Sequence, residues 1–193
     1  MRNLLRERNR YGQTKSEGGF SLMEVLMSMV VLTTGLVGLL AVFAYAVATT
    51  QSAQEDMIAK MLASEAMESI FTAREAAQIS WQQIQNTGTG LTPDGIFVQG
   101  LQPINQAGAD GIYGTADDAA APARTLQLPG PDGILGTPDD QQLPLTNFQR
   151  QIVITAVPNS TSLRLVTITI QYTVSAVHIP KSYVLVSYIS QFR

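Results

Sequence analysis

Gly18-Gly19-Phe20-Ser21-Leu22-Met23-Glu24-Val25-Leu26 opens the longest apolar run in the chain. From Phe20 to Ala48 there is no Lys, Arg, Asp, His, Asn, Gln or Pro, and Glu24 is the one charge. A hydrocarbon core needs about 20 apolar residues in a helix, so this run can span a bilayer. A carboxylate near one end of such a span costs free energy and marks a functional position. Everything else in the sequence reads as what this helix carries.

The segment before it is basic. Arg2, Arg6, Arg8, Arg10 and Lys15 stand against Glu7 and Glu17. Taking those five basic and two acidic residues from the chain totals of 12 and 15 leaves 7 and 13, a net charge of −6. A basic flank sets orientation: leader in the cytoplasm, remainder translocated. The acidic remainder argues against nucleic acid as a main partner, because phosphate binding needs clustered Lys and Arg. Arg124, Arg150, Arg164 and Lys181 are scattered and form no such cluster. There is no Cys among the 193 residues. That removes thiolate catalysis, cysteine metal sites and disulfides.

A secretory signal peptide places its small residues after a short apolar core. Here Gly18-Gly19 come before a longer one. A cut at Gly19–Phe20 strips the charged leader, keeps the helix and makes Phe20 the new N-terminus.

Gly19-Phe20-Ser21-Leu22-Met23-Glu24-Val25-Leu26 resembles the processing signal of type IV prepilins and type II secretion pseudopilins. The resemblance implies cleavage after Gly19 and N-methylation of Phe20 by a prepilin peptidase that is also the methyltransferase. It implies residence in the inner membrane as a single-pass protein with a periplasmic C-terminal domain. It then implies transfer through the inner-membrane assembly platform into a filament of other pilins or pseudopilins. Glu24 has a physical account in that setting, since cleavage leaves an amine on Phe20. A neighbouring subunit's Glu24 can pair with it and set register. Many major pilins kink this helix with a proline near Ala41, and this chain has none. Val30 to Ala41 looks more like minor pilins of the PilV kind, or the I-type minor pseudopilin of type II secretion. The resemblance is strong from Gly18 to about Phe71, weaker over Phe148–Arg193, and absent between.

Within the span, Gly35 and Gly38 fit either close helix–helix approach or the glycine tolerance of membrane helices. Past Ala48 the pattern becomes amphipathic. Ala59, Leu62, Ala63, Ala66, Met67 and Ile70 follow the i, i+3, i+4 spacing of one helical face. Asp56 and Lys60 are spaced as an i, i+4 pair. The spacing predicts one helix from Phe20 to about Ala77, its first half transmembrane and its second half packed on a domain. Ser80 and Gln83 are placed to cap a further short turn.

From Gly88 to about Asn147 the composition turns to Gly, Pro, Asp, Ala and Gln. One unit occurs twice, Gly108-Ala-Asp-Gly-Ile-Tyr-Gly-Thr-Ala-Asp-Asp118 and Gly130-Pro-Asp-Gly-Ile-Leu-Gly-Thr-Pro-Asp-Asp140. Each copy holds three carboxylates: Asp110, Asp117 and Asp118, then Asp132, Asp139 and Asp140. Calcium takes 6–8 oxygen ligands, so the two sets are candidate calcium sites, and calcium could brace a domain without disulfides. The spacing is not that of an EF-hand. Turn chemistry explains the same residues, because Asp-Gly favours hairpin turns and Asp bonds its own backbone.

The C-terminal part, 148–193, carries three strand signals. Ile152, Ile154 and Ala156 share one face of the first. In the second, Val166, Ile168, Ile170, Tyr172, Val174 and Ala176 alternate with polar residues, the period of a strand with one buried face. Ile179-Pro180-Lys181 is expected to turn the chain into a third strand, Tyr183 to about Phe192. The expected fold is α+β: a long N-terminal helix packed on a small antiparallel sheet, as in pilins. The domain plan is 1–19 leader, 20–48 transmembrane, 49–87 amphipathic helix, 88–147 loop insert and 148–193 sheet.

A catalytic function finds no residues to carry it. One His and scattered loop carboxylates assemble no Ser-His-Asp set, phosphate loop or metal cluster. The leading expectation is a minor pilin that initiates, caps or modifies a type IV pilus. A minor pseudopilin of type II secretion, or a membrane-tethered, calcium-braced adhesin, are the alternatives.

Overall fold

The computed structural model describes residues 18–90, 94–176 and 178–192. Of the expected leader only Gly18 and Gly19 are among them. The chain divides into two compact units, the first ending at Tyr45 and the second beginning at Ala46.

One helix, α1, covers Leu22–Glu75. The first unit holds its N-terminal part. The second unit holds the rest, together with six strands: β1 (Gln102–Pro103), β2 (Thr125–Leu128), β3 (Gln141–Pro144), β4 (Phe148–Ala156), β5 (Leu163–Val174) and β6 (Ile179–Ser190). The main sheet is antiparallel with order β1-β4-β5-β6, and β2 and β3 form a separate hairpin. The fold is α+β, the amphipathic part of α1 lying on an antiparallel sheet.

The buried face of α1 is Ile58, Ala59, Leu62, Ala63, Ala66, Met67, Ile70, Ala73 and Arg74. The periodic stripe in the sequence is this face. Its alanines let the helix backbone approach the sheet, while Leu62 and Ile70 supply the bulk. Opposite them lie Phe148, Ile152 and Ile154 of β4 and Val166, Ile168, Ile170, Tyr172 and Val174 of β5, all buried. Phe148 and Tyr172 face each other in register with ring centroids 5.2 Å apart.

Polar groups pin the helix beside this core. Asp56 accepts from the Tyr172 hydroxyl at 2.7 Å and from Lys181 Nζ at 2.9 Å, so its salt partner is Lys181. Those two bonds hold the Asp56 carboxyl below its usual range, and burial with the same bond pushes the Tyr172 hydroxyl up. Glu55 accepts from the Ser175 amide and hydroxyl.

Several local expectations shift. Ala156 is exposed at the end of β4, and Ala176 lies beyond β5 and is exposed. Turn residues Ser175, Ala176 and His178 precede β6, earlier than Ile179-Pro180-Lys181, with His178 in a left-handed conformation at φ 54°. Pro180 sits instead at the start of β6, an edge strand, where its missing N–H leaves no ladder bond unmade. The short turn expected after α1 is present as a 3-10 helix, Trp81–Gln83, capped by Ser80 and Gln83, the Ser80 amide donating to Gln83 Oε1 at 2.8 Å. The 88–147 region also supplies core residues: Phe97, Ile104, Ile112 and Leu145 are buried.

Candidate functional site

The N-terminal candidates lie together. Gly18, Gly19, Phe20 and Ser21 are exposed and outside any helix, immediately ahead of α1. The Glu24 and Val25 amides donate to Ser21 O at 2.9 and 3.1 Å, which starts the helix at the motif. Glu24 is therefore in the first turn, where a carboxylate meets the positive end of the helix dipole.

From Leu22 to Ala46 every residue of α1 is exposed. Gly35 and Gly38 have nothing within 4 Å of where a Cβ would stand. Along this run the hydroxyls of Ser28, Thr33 and Thr34 return to carbonyls three or four residues back, at 2.8–3.0 Å. These hydroxyls are satisfied within the helix itself, as a helix in lipid requires. The helix is long and apolar enough to cross a membrane.

The two Asp-Gly units fold alike. In the first, Asp118 Oδ1 and Oδ2 accept from the Gly108 and Gly114 amides at 2.8 and 2.6 Å. In the second, Asp140 does the same for Gly130 and Gly136 at 3.4 and 2.6 Å. Asp110 and Asp132 each accept from the amide two residues on, at 2.8 and 2.9 Å. Asp117 and Asp139 each accept from the threonine hydroxyl two residues back, at 2.6 Å in both. That hydroxyl holds both carboxyls below their usual range. Each unit also closes a pair of extended segments. Gln106 N and Arg124 N donate to Pro122 O and Ile104 O around the first, and β2–β3 bracket the second.

These contacts give the six Asp side chains amide and hydroxyl donors. They do not bring them into a cation cage. Among the described residues no group of three or more His, Cys, Asp or Glu gathers so as to hold a metal. As placed, the residues take the turn role.

What separates the copies is burial. Ile112 is 3% exposed, its counterpart Ile134 60%. Tyr113 donates its hydroxyl to Glu65 of α1 at 3.0 Å, whereas its counterpart Leu135 is exposed. Arg150 of β4, 3% exposed, stands 3.6 Å from Asp118 and 4.5 Å over the Tyr113 ring. Burial pushes the Asp118 carboxyl up and the Arg150 guanidinium down. Asp140 also feels desolvation, but its amide donors and Gln127 outweigh it and its carboxyl moves down. One motif thus serves as a core element in the first copy and as a hairpin tip in the second.

The glycine before each threonine tests this difference. Gly114 and Gly136 sit at φ 90° and 92°. A Cβ on Gly114 would stand 2.5 Å from Ile152 Cδ1, and one on Gly136 meets nothing within 4 Å. Alanine at either site pays the left-handed penalty of about 1–2 kcal/mol. Gly114→Ala adds overpacking of about 1–3 kcal/mol. Urea unfolding followed by the fluorescence of Trp81, the only tryptophan, is expected to show the larger loss for Gly114→Ala.

The sequence did not single out Asn86 or Arg74. Asn86 is buried and completes strand-like pairing with β4, donating to Ile152 O and accepting from Ile154 N, both at 2.8 Å. Arg74, also buried, donates to Gln191 O. The scattered cations are each engaged within the fold: Arg124 pairs with Glu65, Arg164 stacks on Trp81, and Lys181 pairs with Asp56.

Set against known proteins, the chain matches no family model, no curated protein and no solved structure.

Proposed function

We propose that this protein is a minor pilin of a type IV pilus, a structural subunit that is cleaved after Gly19, methylated on Phe20 and assembled through α1. The observation that carries the reading is the juxtaposition at the start of α1. An exposed, non-helical Gly19–Phe20 bond directly precedes an uncovered apolar helix with its one carboxylate, Glu24, in the first turn. A peptidase can reach that bond without unfolding the helix. The new Phe20 amine then lies one helical turn from Glu24, too near the same end of the same helix for either to be left unpaired in an apolar fibre core. Pairing between adjacent subunits satisfies both. A minor pseudopilin of type II secretion uses the same residues. The choice of pilus rests on the likeness of residues 30–41 to PilV-type minor pilins.

Mass spectrometry of the membrane-extracted protein is expected to find Phe20 as the N-terminal residue, carrying one methyl group. Any other N-terminus sinks the proposal. Sheared surface filaments are expected to contain the wild-type chain and to lose it in a Glu24→Ala variant. Burial of an unpaired amine costs on the order of 3–5 kcal/mol, a loss of roughly a hundredfold or more in incorporation. Undiminished entry of Glu24→Ala into filaments would refute the role given to Glu24.

A further inference from the structure

The hairpin tip formed by the second Asp-Gly unit leaves two adjacent aliphatic side chains uncovered. Ile134 and Leu135 are about three-fifths exposed at its apex, beside the exposed Asp132 and Asp139. There is no Lys or Arg between Arg124 and Arg150, so the tip is purely acidic and apolar. The first copy shows what such a tip binds. Its isoleucine enters an apolar socket beside α1, with the Tyr113 amide on Ser69 Oγ, and its last aspartate meets the guanidinium of Arg150.

A second place in the domain offers that chemistry. A cleft of about 340 Å³ opens where the end of α1 meets the end of β6, lined by Phe71, Arg74, Glu75, Tyr188, Ile189 and Phe192. Arg74 is buried, its Nε has no hydrogen-bond partner, and no ion pair among the described residues includes it. A buried guanidinium with an unsatisfied donor calls for an explanation in any native fold. Tyr188 and Phe192, at the mouth, are exposed aromatics of the kind enriched in protein interfaces.

We propose that the second tip of one copy of this chain docks in the Arg74 cleft of another copy. Ile134 and Leu135 cover Phe71, Tyr188 and Phe192, and the tip carboxylates face Arg74. The contact is heterologous, tip to cleft, so in a pair the copy that gives its tip keeps a free cleft and the copy that receives it keeps a free tip. It is independent of how the N-terminus is processed.

The absence of native cysteines makes the test direct. Two differently tagged copies of the full chain in detergent micelles carry Leu135→Cys and Glu75→Cys, and copper–phenanthroline is the oxidant. A mixed-tag disulfide dimer is expected. The control pair of Leu135→Cys with Thr155→Cys, on the exposed side of β4, is expected to give little. Adding Ile134→Asp to the first copy removes one buried aliphatic side chain and is expected to weaken the association roughly tenfold or more. Ile134 is exposed within its own chain, so this change leaves the fold intact. No mixed dimer, equal yields from test and control pairs, or full cross-linking with Ile134→Asp would each overturn the proposal.

Discussion

An Asp118→Ala variant is expected to lose about 3–5 kcal/mol of unfolding free energy, while Asp140→Ala loses about 1 kcal/mol or less. The two aspartates occupy the same place in the same motif and accept from equivalent pairs of glycine amides. Deleting Asp118 strands Arg150, which is 3% exposed and loses the carboxylate it pairs with at 3.6 Å. Deleting Asp140 frees amides that can turn to water. Against a typical domain stability of roughly 5–15 kcal/mol the first loss is about a fifth or more. Urea unfolding followed through Trp81 measures both. Adding Arg150→Met to Asp118→Ala is expected to restore part of the loss, because an apolar replacement removes the uncompensated charge. No recovery in the double variant would assign the cost to the turn rather than to the ion pair.

Phe97→Ala is expected to cost about 3–5 kcal/mol, the range for emptying a large aromatic site. Phe97 is fully buried although it lies in no strand. Its amide donates to Gln85 O, and its carbonyl accepts from Thr87 N and Asn86 Nδ2. A Cβ at Gly114 would lie 3.6 Å from its ring, so it also underlies the first Asp-Gly unit. Loss of the side chain is expected to loosen both neighbours, with faster amide exchange at Gly114 and Ile154 than at Ile168 in the middle of the sheet. A Phe97→Ala domain as stable as the parent would return the 88–147 region to the status of an appendage.

The sequence made the helix and the sheet visible because each repeats one relation many times. Ala59, Leu62, Ala63, Ala66, Met67 and Ile70 recur at helical spacing, and β5 alternates from Val166 to Val174. Such patterns survive a few exceptions. The middle region offers no repetition of that kind, since Phe97, Ile104, Ile112 and Leu145 reach the core one at a time from loops. Single apolar residues among Gly, Pro and Asp carry no period to read. Arg150 was nonetheless legible. It shares the inward register of β4 with Phe148, Ile152 and Ile154, and a charge on a buried face requires a partner. The partner was hidden because Asp118 and Asp140 are indistinguishable in sequence and only packing separates them. At the N-terminus the motif at Gly19–Glu24 was plain as residues, and the structure adds its exposure and its position in the first turn.

The pairing of Thr125 with Pro144 has a consequence for how such a chain can vary. Residues facing each other across an antiparallel ladder hold their Cα atoms about 5 Å apart. Whatever is spliced between positions 126 and 143 therefore leaves and re-enters the domain at one point. Its length and composition are free of the constraints on the interior. Loops of this kind are where insertions are tolerated and where new surfaces are tried. The domain can thus exchange its outer tip as a cassette, while the first copy of the same motif, locked against Arg150, cannot be exchanged at all.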